Sequence, residues 1–596
     1  MLTPVQILKD TFGYDAFRGE QAAIIDHVMQ DGSALVLMPT GSGKSLCYQI
    51  PAIAREGTAL VVSPLIALMD DQIAALRELG VRAACLHSNV DGAEKRGIYE
   101  ALETGNLDLL YVAPERLMMP DFLNTLDRAR INLLAIDEAH CISQWGHDFR
   151  PEYRQLSSLR GRWPNVPCLA VTATADEPTR RDIMAALKLP AIFTGGFDRP
   201  NIHYSVGLKN NPRQQLLKFL ASQEKDSSGI VYCLSRKKVE ETAAFLRTEG
   251  YKALPYHAGL DPDIRAANQN TFIKDDGVII VATIAFGMGI NKPDVRFVAH
   301  MDLPKNIEAY YQETGRAGRD GLPAIAWMIY GMQDVALQNQ MIEDGESPPQ
   351  QKRIEHQKLN ALLGYCEAAT CRRQILLNYF GDAHAPCGNC DTCANPPKTF
   401  DATIPAQKIM SCIYRTGQRF GGKYIIDVLI GSTGDERISK FGHDNLSVFG
   451  IGTDLDPKQW QSIIRQLAAF GLIRTDMGSH GELKITDTGM AFLKDKSTIA
   501  LRLDEKPADP IRAAKAKTDA LLDTDDDRSL LASLKAVRLS LAKAQNLPPY
   551  VIFHDKTLIE MVMRKPATIQ DLAQISGVGS AKLEKYGAEF LHVLKG

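Results

Sequence analysis

The chain has 596 residues, 45% apolar and 23% charged, with a formal net charge of -3. Its length calls for about three to five domains, and the near-neutral charge excludes a protein that coats nucleic acid by bulk basicity, so phosphate contacts would have to come from local basic tracks. No apolar run approaches the ~18 residues of a membrane span, and Met1–Gln6 carries no secretory pattern. The 11 cysteines are mostly scattered through apolar runs, which reads as buried thiols in a reducing interior plus one late cluster.

Residues 34–172 alternate short β-rich runs (Ala34–Leu37, Leu60–Val62, Leu109–Val112, Leu133–Ile136, Leu169–Thr172) with helical stretches. Continuous apolar runs of this length predict strands of a parallel sheet covered on both faces. The pattern restarts after Gly207 with Ile230–Tyr232, Val278–Val281, Phe297–His300 and Ala326–Tyr330. Two consecutive α/β domains are expected, over 1–207 and 208–343. A helical stretch over Lys358–Tyr379 and a cysteine cluster ending at Asn395-Pro396-Pro397 mark a small module over 344–401. Residues 402–500 read as short helices followed by a hairpin around Gly478–Gly481, which suits a winged helix or a plain α+β domain. The Ala/Lys/Asp-rich stretch 501–527 reads as a tether, and 528–596 as a compact helical domain.

Three motifs carry chemistry. Met38-Pro39-Thr40-Gly41-Ser42-Gly43-Lys44-Ser45 follows a predicted strand. A glycine-rich turn there exposes backbone N–H groups to phosphates and aims a helix N-terminus at them. Lys44 would reach the β/γ-phosphates and Ser45 would ligate Mg²⁺, although Met38 occupies the first glycine position of the strict pattern. Asp137 and Glu138 fall at a strand's carboxyl end, where open α/β sheets bind ligands. Asp137 would hold Mg²⁺, and Glu138 would orient and deprotonate the attacking water. Arg316 and Arg319, three apart and expected on one helix face, would meet the charge of a phosphoryl-transfer transition state. Because they belong to the second domain, closure of a cleft would complete the site.

With these motifs in place, the chain resembles the RecQ family of superfamily 2 DNA helicases, of the bacterial type, over essentially its whole length. Phe12-Gly13-Tyr14 through Phe17-Arg18-Gly19-Glu20-Gln21 is similar to the family's adenine-recognition motif, implying that Tyr14 stacks on the base, Gln21 reads its edge and Arg18 joins the nucleotide site. The family usually has Pro-Gly where Gly19-Glu20 stands. Ser63–Met69, Ala113–Leu117, Val171–Ala175 and Ala282–Lys292 resemble further helicase motifs. Cys141–Pro151 resembles the family's aromatic-rich loop, in which Trp145 and Phe149 would stack on unpaired bases and Arg150 would contact phosphate. The resemblance implies two tandem RecA-like parallel-sheet domains, a helical zinc-binding module, a winged-helix domain and a small all-α HRDC-like domain. It also implies ATP, Mg²⁺ and Zn²⁺ as cofactors, 3′–5′ unwinding of single-stranded and forked duplex DNA in recombination and repair, single-strand-binding protein as a partner, a monomer, and a place in the bacterial cytoplasm at the nucleoid. An RNA helicase would share the same ATP site; the later modules favour DNA.

Cys387, Cys390 and Cys393 follow a C-x2-C-x2-C spacing, with Cys371 sixteen residues upstream. Four thiolates fit a tetrahedral zinc site. An iron–sulfur cluster is the rival, but its fourth cysteine would fall at Pro397. His384 is an alternative ligand, and Cys366 reads as a buried thiol. Further on, His480 at the hairpin tip is placed to act as a wedge at a fork, or else is solvated turn. Arg528, Lys535, Arg538 and Lys543 form an acid-free basic strip up to His554. There Lys535, Arg538 and a stacking Tyr550 would touch single-stranded DNA, with protein docking as the competing role. Ile575-Ser576-Gly577-Val578-Gly579 resembles a helix-hairpin-helix turn whose amides approach phosphate.

Overall fold

The computed structural model describes residues 2–87, 90–143, 150–224, 226–284, 286, 292–476, 482–495, 497–504 and 524–595. Seven strands form the first sheet: β1 (Ala34–Leu37), β2 (Thr58–Val62), β3 (Ala83–Leu86), β4 (Leu109–Val112), β5 (Ile131–Ile136), β6 (Cys168–Thr172) and β7 (Ala191–Thr194). Their order is β3-β4-β2-β5-β6-β1-β7, all parallel. Apolar side chains from alternate positions feed two separate cores, one on each face, which is why the runs are continuously apolar instead of alternating. β1 lies between β6 and β7, in register from Ala34 against Leu169 and Ala191. The loops after β1, β5 and β6 therefore emerge side by side at the carboxyl edge.

The second sheet comprises β8 (Ile202–Leu208), β9 (Ser228–Tyr232), β10 (Lys252–Tyr256), β11 (Val278–Ala282), β12 (Val295–His300) and β13 (Ala324–Tyr330). It is parallel in the order β10-β11-β9-β12-β13-β8. β8 pairs with β13 from Ile202 to Leu208, so the lobe boundary lies before Ile202 and not at 207/208. Polar residues (His203, Ser205) interrupt β8, which hides it from a reading based on apolar runs.

The stretch expected as one helix over Lys358–Tyr379 is two, Pro349–Glu367 and Arg372–Tyr379. Cys371 sits in the break, where its sulfur accepts a hydrogen bond from the Gln374 amide at 3.5 Å. Leu359, Leu362, Tyr365 and Leu376 of these helices, with Phe380 just beyond, continue the core of the second lobe. The cysteine module is thus an outgrowth of that lobe.

Helices Thr403–Arg415, Gly422–Leu429 and Pro457–Ala469 with the hairpin β15 (Ile473–Asp476) and β16 (Glu482–Ile485) make the winged-helix domain. Its core is built on Trp460, Ile463 and Leu467, with the Trp460 indole donating to Gly452 O at 2.8 Å. β14 (Thr399–Asp401) pairs antiparallel with β17 (Ala500–Arg502), joining the two ends of the domain. The tip 477–481, with His480, lies outside the described residues, as does 505–523 of the expected tether. At the end of that tether Asp525, Asp526 and Asp527 already occupy the first turn of the helix Asp525–Ala544, where carboxylates suit the helix dipole. Helices Pro549–Ile552, Asp555–Arg564, Ile569–Leu572 and Ser580–Lys595 complete a small domain with its own core.

Candidate nucleotide site and its neighbouring domains

Gly41 and Gly43 adopt φ of +82° and +81°, the left-handed conformation that lets the turn after β1 present its amides. Ser42 Oγ donates to Pro39 O at 2.7 Å and stiffens the turn. Lys44 Nζ lies 3.3 Å from Glu138 Oε1 and 3.8 Å from Asp137 Oδ1. Burial disfavours the Lys44 charge, but the carboxylates of Glu138 and Asp137 outweigh it and raise its pKa. Asp137 is itself pushed up to about 6 by burial, against the pull of Lys44. Glu138 holds a left-handed backbone, φ +48°, which turns its side chain back toward the loop. Its second carboxylate oxygen is 3.4 Å from His140 Nδ1, and that nitrogen is 2.9 Å from Thr172 Oγ1 at the end of β6. Gln312 of the second lobe donates to Thr174 Oγ1 at 3.0 Å. A polar chain therefore leads from Glu138 toward the opposite lobe.

Arg316 and Arg319 line the same cavity as Thr40–Ser45, Asp137 and Glu138. They do not share a helix face as expected: the helix Ile307–Thr314 ends before them, and the glycines at 315 and 318 turn the chain so that both face the cleft. The lobes touch here. Thr40 Oγ1 donates to Gly315 O at 3.0 Å, and a Cβ on Gly41 would stand 3.3 Å from the Arg319 backbone. Burial, then Arg316, then Arg199, depress the Arg319 pKa to about 9. Arg199 itself, in the segment between the sheets, went unnoticed in the sequence, because a single arginine before proline looks like ordinary loop.

At the other end of the cavity stand Tyr14, Arg18 and Gln21, with the Arg18 guanidinium 5.6 Å from the Tyr14 ring centre. Gln21 Oε1 accepts from the Arg18 amide at 2.9 Å, while its Nε2 donates to the Ser42 and Gly43 carbonyls, each at 3.1 Å. Its amide nitrogen thus ties the Tyr14 end of the cavity to the glycine turn after β1, a role the sequence reading did not include.

His554, Lys556, Thr557 and Ser576 of the C-terminal domain line this cavity too. The domain docks on both lobes. Gly577 N–H donates to Gly13 O at 2.7 Å, Ser580 Oγ to Asp10 O at 2.9 Å, and Lys585 pairs with Glu78 at 2.6 Å. Tyr550 and Val551 pack on Ile273 of the second lobe. This corrects two expectations of DNA contact, at Tyr550 and Arg538, and gives Lys535 a competing partner. Tyr550 is only 8% exposed, and Arg538 is buried against Asp555 and Phe553 O. Lys535 is held by the same Asp555 at 2.9 Å. Two cations of the basic strip are paired by an acid just beyond it in sequence, and the Gly577 amide is spent on Gly13 instead of a phosphate. Burial, then Lys582 and Arg538, hold His554 down to about 4, so a neutral imidazole faces the cavity.

The sulfurs of Cys371, Cys387, Cys390 and Cys393 all lie within 4.8 Å of one another, and Cys371 and Cys390 are 3.9 Å apart. Zn–S bonds of ~2.3 Å would set tetrahedral sulfurs ~3.8 Å apart, so the set fits zinc. His384 instead faces Asp198 at 3.4 Å. Burial pushes the Cys366 thiol up to about 12, as suits an inert core thiol. Of the aromatic-rich loop, Trp145 and Phe149 lie outside the described residues. Arg150 donates to Pro64 O at 3.2 Å, which sets it beside the Ser63–Met69 motif.

An ATP-hydrolysing core split across two parallel-sheet lobes, carried with a cysteine module and a winged helix, is the architecture of a nucleic-acid helicase. The DEAD/DEAH box helicase model matches residues 18–183 and the helicase conserved C-terminal domain 211–321. The RecQ zinc-binding model matches 332–394, the RQC domain 396–510 and the HRDC domain 527–594. The ATP-dependent DNA helicase RecQ of Haemophilus influenzae is 45% identical, covering 100% of this chain and 96% of its own. That of Bacillus subtilis is 36% identical over 99% and 98%. Among solved structures, the DUF1998 helicase MrfA bound to DNA is similar over 61% of this chain and 57% of its own, with a TM-score of 0.47 and 17% identity. The chain belongs to the RecQ family of ATP-dependent DNA helicases.

Proposed function

We propose that this protein moves 3′ to 5′ along one DNA strand and opens forked duplexes in recombination and repair, driven by ATP with Mg²⁺. As a RecQ-family helicase it couples ATP hydrolysis to DNA unwinding. The observation that carries the mechanism is the single cavity lined by Lys44, Asp137 and Glu138 from one lobe and by Arg316 and Arg319 from the other. In this reading Lys44 and the loop amides hold the triphosphate. Ser45 and Asp137 would hold Mg²⁺, which when bound would supply positive charge beside the phosphates. Glu138 takes the proton of the attacking water, and His140 steadies its carboxylate. Arg316 and Arg319 stabilise the transition-state oxygens only while the lobes are together, so hydrolysis reports closure. Each base-pair step opened costs ~1.4 kcal/mol on average, so a small closure per cycle suffices. Arg150, beside the Ser63–Met69 motif, and the winged helix hold the tracked strand and the duplex through phosphate contacts.

Strand displacement tests this directly, using duplexes with a 3′ or a 5′ tail, ATP or a non-hydrolysable analogue, and Mg²⁺ or chelator. Unwinding of the 3′-tailed duplex with ATP and Mg²⁺ alone is the expected result; equal use of 5′ tails would overturn the polarity. Stimulation of ATP hydrolysis by DNA over RNA separates this reading from an RNA helicase. Sedimentation with and without single-strand-binding protein reads the expected monomer and that partner.

A further inference from the structure

We propose that Arg199 is a positioning residue for hydrolysis, locking the turn that carries Arg316 and Arg319 against the phosphate loop. It stands between β7 and β8, in the segment that joins the lobes, and is 8% exposed. Its Nη1 donates to Thr40 O at 2.5 Å and Gly315 O at 2.9 Å. Its Nη2 donates to Ala317 O at 2.8 Å and Gly318 O at 3.0 Å. One planar fork therefore binds a carbonyl of the phosphate loop and three carbonyls that bracket Arg316 and precede Arg319.

The surroundings are built for this approach. A Cβ on Gly315 would stand 2.4 Å from Thr40 Oγ1. Gly318 has φ +55°, and a Cβ there would stand 2.4 Å from Asn201 Nδ2, which itself donates to Gly318 O at 2.8 Å. Among the described residues, the hydrogen bonds of Arg199 go to carbonyls and to no carboxylate. Burial lowers its pKa against the weaker pull of Tyr204, Tyr311, Asp320 and Asp198, none of which bonds the fork directly. An acid partner would cancel positive charge where phosphate oxygens must be met; carbonyls orient the fork without cancelling it. A lysine has no planar fork and could satisfy only part of the set.

The inference rests on the assignment of Arg316 and Arg319 to the transition state. The test uses the full chain with Arg199→Ala, Arg199→Lys and Arg319→Ala, measuring DNA-stimulated kcat, binding of ADP and of ADP–aluminium fluoride, and thermal stability. A misplacement of about 1 Å in a catalytic group costs on the order of 100-fold in rate. We therefore expect Arg199→Ala to lose kcat and ADP–aluminium fluoride affinity by a common factor of that order, with ADP affinity within about threefold. Arg199→Lys should fall between. Unchanged kcat in Arg199→Ala overturns the proposal. So does a parallel loss of ADP and ADP–aluminium fluoride affinity with a lowered Tm, which would mark Arg199 as structural filler. If the unsubstituted chain and Arg319→Ala show the same preference for ADP–aluminium fluoride over ADP, the assignment of the arginine fails first, and the two failures are distinguishable.

Discussion

Gly579→Asp should release the C-terminal domain from the nucleotide cavity without unfolding it. Gly579 has no left-handed backbone requirement, and a Cβ there would stand 2.7 Å from Thr11 O. Backbone cannot move aside cheaply, so the domain must. Gly579 O accepts from the Leu583 amide at the start of the last helix, a position where aspartate is favoured, so that helix should gain support even as docking is lost. The contacts forfeited on the first lobe are Gly577 to Gly13, Ser580 to Asp10, Tyr586 Oη to Glu78 at 3.0 Å, and the half-exposed Lys585–Glu78 pair. At ~1 kcal/mol for each hydrogen bond and at most that for the pair, the loss is roughly 3 kcal/mol, about two decades in the docked-to-released ratio. Hydrogen exchange at residues 8–14 should accelerate. A fluorescent ADP should dissociate faster, because His554, Lys556, Thr557 and Ser576 leave the cavity wall. Unchanged protection and unchanged dissociation in a folded variant would refute the docking argument.

Further outcomes follow from other residues. Lys44→Ala should abolish hydrolysis while leaving DNA binding largely intact, as read by anisotropy; surviving unwinding would remove the loop from the mechanism. Asp137 has a folded pKa of about 6, above its ordinary 3.8, so its contribution to stability is lost as pH rises from about 4 to 6. At neutral pH Asp137→Asn should melt no lower than the unsubstituted metal-free chain although inactive. Cys390→Ser should drop bound zinc from one per chain toward none by metal analysis and lower Tm, since metal binding is folding energy in such modules. Glu367, fully buried, joins Tyr330 of the second lobe to Arg465 and Arg502 of the winged-helix domain. Glu367→Gln breaks a buried charge network worth ~3–5 kcal/mol, and should lower unwinding per ATP hydrolysed more than it lowers hydrolysis.

The two lobes and the phosphate loop were legible in the sequence because each rests on local physics. A run such as Ala34–Leu37 must be buried on both faces, and glycines at 41 and 43 before Lys44 admit few other uses. Cys387, Cys390 and Cys393 were legible for the same reason, since short spacing brings their sulfurs together, whereas Cys371 reaches them only through the fold. β8 and the two-helix break at Cys371 were not, because a polar strand is recognised only by its partner β13 and a helix end only by what its side chains meet. The basic strip illustrates the limit most clearly. Lys535 and Arg538 looked like a nucleic-acid surface until folding brought Asp555 against both, and Tyr550 looked like a stacking face until Ile273 covered it. By itself the sequence determined the chemistry available, the strand cores and which cysteines could form a cluster that fits zinc. Only the tertiary structure decided which charges remain uncancelled, that Arg199 spans the lobes, and that the last domain walls the nucleotide cavity, because charge pairing and closure depend on distances in space that no local pattern of residues records.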